Sequence, residues 1–220
     1  MKGVALGYER LARIVMMVFV VNVAFTAYTL AGAVVAGVFP AVAASYATFR
    51  TWALSKDTAW TVKRTWVTFH RAWIADLGSA NAFGWPLLAV WLLLAWDYYL
   101  ANWNDLGVVG FAVSGVLLLV NVFYGLFVLV SWAVRSNFEE RPWWIVRTSL
   151  HMVIARPLCS SMVVVLLCLT AWAWSTWPGI LMTFGFAAPV FAVVMAVCTF
   201  GRLPGMDVRA GRWQASGSNV

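Results

Sequence analysis

The chain has 220 residues, of which 63% are hydrophobic and only 10% charged, whereas a water-soluble domain carries about 25% charged residues to solvate its surface. That balance excludes an ordinary soluble protein and implies an integral membrane protein with the lipid bilayer as its first partner. The net charge of +7 does not indicate nucleic acid, because the basic residues form short clusters between long uncharged runs, as in loops that face anionic lipid.

From the N-terminus, residues 14–49 form 36 positions without a charge, about 54 Å as one straight helix. That is too long for one crossing at ordinary tilt. Gly32, Gly37 and Pro40 interrupt the run, leaving two readings: one long helix with an interfacial extension, or a hairpin of two short spans. A cleaved signal peptide is excluded as an expectation, since its apolar core is only about 7–15 residues. Four later segments, 83–100, 107–134, 158–177 and 178–200, are each about long enough to cross roughly 30 Å of hydrocarbon.

Charge favours the hairpin. With six segments, all fifteen Lys and Arg fall on one side, and the turns near 102–106 and 177–179 contain none. Five spans would leave Lys2, Arg10 and Arg13 outside, against the positive-inside tendency. The expected fold is therefore all-α: a polytopic bundle of six membrane segments with both termini cytoplasmic.

Two cytoplasmic loops carry helical patterning. Val62, Trp66, Phe69, Trp73 and Leu77 recur at a helical period, with Lys63, Arg64, Thr68 and Arg71 largely off that stripe. This is the pattern of a helix lying in the interface, rings toward the membrane and cations toward headgroups. The loop 138–156 is similar, with Trp143, Trp144, Leu150, Val153 and Ile154 apolar and Arg147 and Arg156 charged. Trp66, Phe69, Trp73, Trp143 and Trp144 are thus the expected membrane-interface residues. The chain divides into a hairpin at 14–50, an interfacial helix plus two spans at 51–134, a second such unit at 135–201, and a cytoplasmic tail at 202–220. The two units suggest a duplication, which is common in membrane proteins.

Few residues suggest chemistry. His70 and His151 lie on the two amphipathic helices without a second His at i+4, and no metalloprotease, nucleophile-elbow or phosphate-loop motif occurs. No catalytic residue, metal or cofactor is expected. Cys159, Cys168 and Cys198 lie in apolar surroundings without metal-ligand spacing and read as structural thiols. Glu139 and Glu140 beside Arg141 suit the start of a helix. The one constellation that suggests binding lies at the outer turns: Trp96, Asp97, Tyr99, Trp103 and Asp105, with Trp172, Trp174 and Trp177 at the second turn. Rings beside carboxylates would suit a sugar; an aromatic belt with solvated aspartates is the plainer alternative. Within the spans, Asn22 and Asn121 read as bonds between helices.

The stretch from Gly37 to Tyr46, Gly-Val-Phe-Pro-Ala-Val-Ala-Ala-Ser-Tyr, followed by Arg50, resembles the YesL-like family of bacterial integral membrane proteins. Trp66, Phe69 and Trp73 match that family's aromatic cytoplasmic helix, and Ile154-Ala155-Arg156-Pro157 its element before the fifth span. Ser45 departs from the pattern, where Leu is usual. The resemblance implies a bacterial plasma-membrane protein of no established activity and a link to carbohydrate utilisation. Two functions are expected from these readings together. One is a non-enzymatic accessory of carbohydrate uptake, associated with ABC transporter subunits or with itself. The other is a small facilitator or channel for a neutral solute such as a sugar.

Overall fold

The structure is a computed structural model that describes residues 2–55, 60–104, 107–138 and 140–200, with the side chains of residues 2–7, 10, 108 and 200 outside the description. The expected roles of Asp105, Glu139, Lys56 and the tail 202–220 lie outside the described residues. Every described element is an α-helix: α1 Lys2–Ala31, α2 Val38–Leu54, α3 Val62–Ala75, α4 Leu77–Trp103, α5 Gly107–Asn137, α6 Pro142–Ala155, α7 Pro157–Thr176, α8 Pro178–Phe184 and α9 Ala187–Phe200. Pro142, Pro157 and Pro178 each open a helix. There the missing N–H costs nothing and the fixed φ suits the first turn.

Four helices are long and apolar enough to cross a membrane, at Leu11–Ala31, Leu77–Trp103, Val109–Asn137 and Pro157–Thr176. Helices α8 and α9, bent by 68° at residues 185–186, are together long and apolar enough for a fifth when counted as one broken span. The expected sixth segment is α2, and it differs from a span. A break does occur at 32–37, where Ala33 and Val34 take positive φ of 51° and 64°, a costly conformation for a β-branched residue. Gly32 and Gly37 meet so closely there that a Cβ on either would overlap backbone. Beyond the break, α2 is only 17 residues long and is enclosed by protein, with Phe39, Ala41, Ala44, Tyr46 and Phe49 buried.

Its contacts tie α2 into the bundle. Phe39 stacks on Trp132 at 6.3 Å, Tyr46 donates to Leu129 O at 3.2 Å, and Arg50 Nε donates to Asn137 Oδ1 at 2.5 Å. Residues spread over about 16 Å of α2 therefore meet only the last turns of α5. Burial holds the Tyr46 phenol far above its usual pKa, so it serves as a neutral donor.

The direction of α1 follows from three contacts. Phe19 packs edge-on against Phe184 at 6.5 Å, Asn22 bonds to both sides of the α8–α9 break, and Ala36 O, just past the helix, accepts from Asn81 Nδ2 at 2.9 Å. The start of α9 lies about 20 Å from its end, and its end adjoins α7, where Cys159 lies 4.0 Å from Ala196 O. Asn81, by contrast, is in the first turns of α4. So α1 runs toward the end of the bundle where α3 meets α4, in the same sense as α5 and α9.

Asn22 is the tightest of these links. Its Nδ2 donates to Met182 O at 3.2 Å and Thr183 O at 3.1 Å. Its Oδ1 accepts from Phe186 N at 3.2 Å and Ala187 N at 3.4 Å. The side chain uses its two donors and both lone pairs on backbone groups freed by the break. Asn22→Leu is expected to cost about 1–2 kcal/mol, read as a lower thermal midpoint of the detergent-solubilised protein; an unchanged midpoint would show that these bonds add no net stability. A Cβ at Gly84 would overlap the Phe39 ring, so Gly84→Ala is expected to destabilise by about 1–3 kcal/mol through overpacking in the same measurement.

Candidate functional site

In the last two turns of α4, Trp96, Tyr99 and Trp103 stack in a ladder along one helix face, with centroids 5.8 Å and 5.2 Å apart. All three are exposed. Asp97 is exposed too, but it lies about 100° around the helix from Trp96. The structure thus gathers three of the expected binding residues and leaves Asp97 to one side. Asn102 and Asn104, near the ladder, each donate to a carbonyl of their own helix at 2.8 Å. Trp172 and Trp177 pack edge-on at the second turn, 5.6 Å apart.

The aromatic stripe of α3 takes a different place from the one its pattern suggests. Trp66, Phe69 and Trp73 gather around Tyr28 of α1, with ring centroids 5.7, 5.4 and 5.2 Å away, and Phe69 is fully buried. His70 completes the group, its Nδ1 2.7 Å from the Tyr28 hydroxyl. The stripe is amphipathic as expected, but its partner is protein: it holds α3 to the end of α1. On α6, Trp143 is 77% exposed and available to the interface, while Trp144 packs edge-on against Phe138 at 5.2 Å.

The strongest polar arrangement lies where α3, α4 and α5 meet. Asp76 is the single non-helical residue between α3 and α4. Its carboxylate accepts two bonds from Arg135, at 2.6 and 2.7 Å, and a third from the Ser79 hydroxyl. The Arg135 guanidinium also lies 5.5 Å from the Phe83 ring and 5.4 Å from the Trp132 ring. Such a fork geometry is the strong form of the interaction. With Arg50 bonded to Asn137 two residues further along α5, α2, α3, α4 and α5 are joined here by ionic and amide contacts. Sequence reasoning missed this set. Asp76 and Arg135 are 59 positions apart, and only the identity of Asp76 as a lone acid between the amphipathic α3 and the apolar α4 signalled a partner.

Asn121 bonds to Leu94 O at 3.1 Å, joining α4 to α5, as Tyr124 does through Leu87 O at 2.9 Å. Both asparagines therefore act between helices. Among the described residues, no three His, Cys, Asp or Glu come together in a way that would hold a metal.

Residues 18–98 match a family model described as a protein of unknown function, DUF624. The YesL family carries this domain. The match covers the later part of α1, all of α2 and α3 and most of α4, so the DUF624 segment ends inside the first long hairpin. No curated protein and no solved structure matches the chain.

Breaking the Asp76–Arg135 fork gives a clear expectation. Arg135 is 14% exposed and Asp76 29%, so Arg135→Ala is expected to cost about 1–3 kcal/mol. Arg135→Lys keeps the charge but loses the fork and should lie between the two. A double-mutant cycle with Asp76→Asn checks it: coupling below about 0.5 kcal/mol would mean that the pair is not acting as a unit.

Proposed function

We propose that the chain is a non-enzymatic plasma-membrane accessory protein that packs against subunits of a carbohydrate-uptake system driven by ATP. The observation that carries this is the outer half of the α4–α5 hairpin. Leu92, Leu93, Leu119 and Phe123 are all more than half exposed, so beyond their mutual contact these helices offer broad apolar faces at membrane depth, to lipid or to a partner's helices. The inner half is held rigidly by the Asp76–Arg135 and Arg50–Asn137 contacts. The carbohydrate connection rests on the resemblance to the YesL-like family alone. Co-purification in mild detergent is the test. A transporter subunit should accompany the chain, and a chain recovered alone or only with itself counts against the reading.

The topology that best suits this reading has five spans, with the N-terminus outside and the C-terminal end of α9 inside. The course of α1 toward the α3–α4 junction supports it, as does the burial of the short α2 within protein. Lys2, Arg10 and Arg13 then lie outside and the other twelve basic residues inside, so the positive-inside tendency holds for the rest of the chain. A Glu9–Arg13 ion pair of 2.5 Å offsets part of the outer charge. Single engineered cysteines test the arrangement: position 2 should react with an impermeant reagent in intact cells and position 64 should not. Protection of both would restore the six-span arrangement.

A facilitator for a neutral solute is the second reading, favoured by the break between α8 and α9, since interrupted spans expose backbone polar groups at depth. Solute flux into proteoliposomes above that of empty vesicles would support it; its absence for every sugar tried would remove it.

A further inference from the structure

The two 14-residue helices α3 and α6 sit at matching places in the chain. Val62 and Pro142 begin them, Ala75 and Ala155 end them, and Leu77 and Pro157 begin the next spans, each pair 80 residues apart. One residue, Asp76 or Arg156, separates each short helix from a span. A connection that short holds α3 and α6 at the mouth of α4 and α7, at one boundary of the membrane.

Each helix turns one face onto the protein. Thr65 and Phe69 of α3 and Ile145, Ser149 and Met152 of α6 are buried. The opposite face of α3 is ordered in three lines of seven-residue spacing. Val67 and Ile74, 37% and 52% exposed, form the middle line. Lys63 and His70 flank it on one side and Arg64 and Arg71 on the other, all exposed. Arg64 also lies over the Trp60 ring at 4.8 Å. On α6 the outward face carries Trp143, Leu150 and Ile154 with Arg147. Neither helix contains an Asp or Glu; the nearby Asp76 is engaged by Arg135, and Glu140 is exposed just before α6.

We infer that these outward faces form a paired binding surface for anionic phospholipid headgroups. Apolar side chains flanked by cations suit the plane between acyl chains and phosphates, where long basic side chains reach the phosphate while their stems cover apolar surface. The occupant follows from charge: Lys63, Arg64 and Arg71 on α3 and Arg147 on α6, with no carboxylate on either helix, match a negatively charged leaflet better than zwitterionic lipid. This surface is not the aromatic stripe, which is spent on Tyr28. The inference shares with the proposed topology only the placement of both helices at one boundary, so it stands or falls separately from the co-purification result.

The full-length protein in nanodiscs of phosphatidylcholine, with and without phosphatidylglycerol, tests it. The thermal midpoint should be higher with the anionic lipid, by about 2–4 °C for each cation engaged. High salt should erase most of the difference. In Lys63→Gln/Arg71→Gln/Arg147→Gln, substituted only at exposed positions, the midpoints in the two lipids should converge. The readout is the difference between lipids for each variant, so a general loss of stability does not mimic the result. Equal midpoints for the parent protein, or a variant that keeps the full difference, overturn the inference.

Discussion

Within hydrocarbon no water is present to satisfy a backbone group, so each N–H and C=O released by a broken helix must find a partner in the protein. The last span breaks at residues 185–186, and Asn22 of α1 bonds to both sides of the break. This constraint places the rest. It brings α1 against the α8–α9 junction and directs its end toward α3, while α2 packs on α4, α5 and α9. Phe25 stacked on Phe186 at 4.0 Å adds apolar contact around the same amide. A Leu at position 22 would keep the apolar packing and strand the backbone.

At the inner end the same economy of polar groups is met by charge. Asp76 occupies the one position where α3 and α4 change direction, and a free carboxylate there would face the membrane boundary. Arg135 neutralises it with two bonds, and Phe83 and Trp132 cover the guanidinium. Arg50, 5% exposed, is held by Asn137 in the same layer. Since lone buried charges are costly and paired ones roughly neutral, the net gain from these contacts is orientation more than stability.

Much of this was legible in the sequence. Long uncharged runs mark α4, α5, α7 and the α8–α9 pair, and small residues around Gly32 and Gly37 mark the break after α1. Lone asparagines in apolar helices pointed to bonds between helices. What periodicity does not encode is the identity of the surface that an apolar stripe meets. Trp66, Phe69 and Trp73 form the same pattern whether they lie on lipid or on Tyr28. The course of α2 was hidden for a related reason. A span and a helix enclosed by protein both lack charges, and Ser45, Thr48 and Tyr46 were the quiet signs of an enclosed helix whose polar groups find partners inside the protein. The Asp76–Arg135 fork joins distant positions and has no local signature. At the outer turn, adjacency in sequence suggested a shared site, but the helical turn moves Asp97 away from the Trp96–Tyr99–Trp103 ladder.

The sealed break also bears on the choice between accessory and facilitator. An interrupted span serves a solute when its freed backbone groups face an open path. Here one amide from α1 donates to the carbonyls before the interruption and accepts from the N–H groups after it, and Phe25 stacks on Phe186 beside it. A polar solute would have to displace Asn22 and leave its amide unpaired among aromatic rings, at a cost comparable to the bonds it gained. The arrangement is therefore better suited to holding α1 in place than to lining an open path.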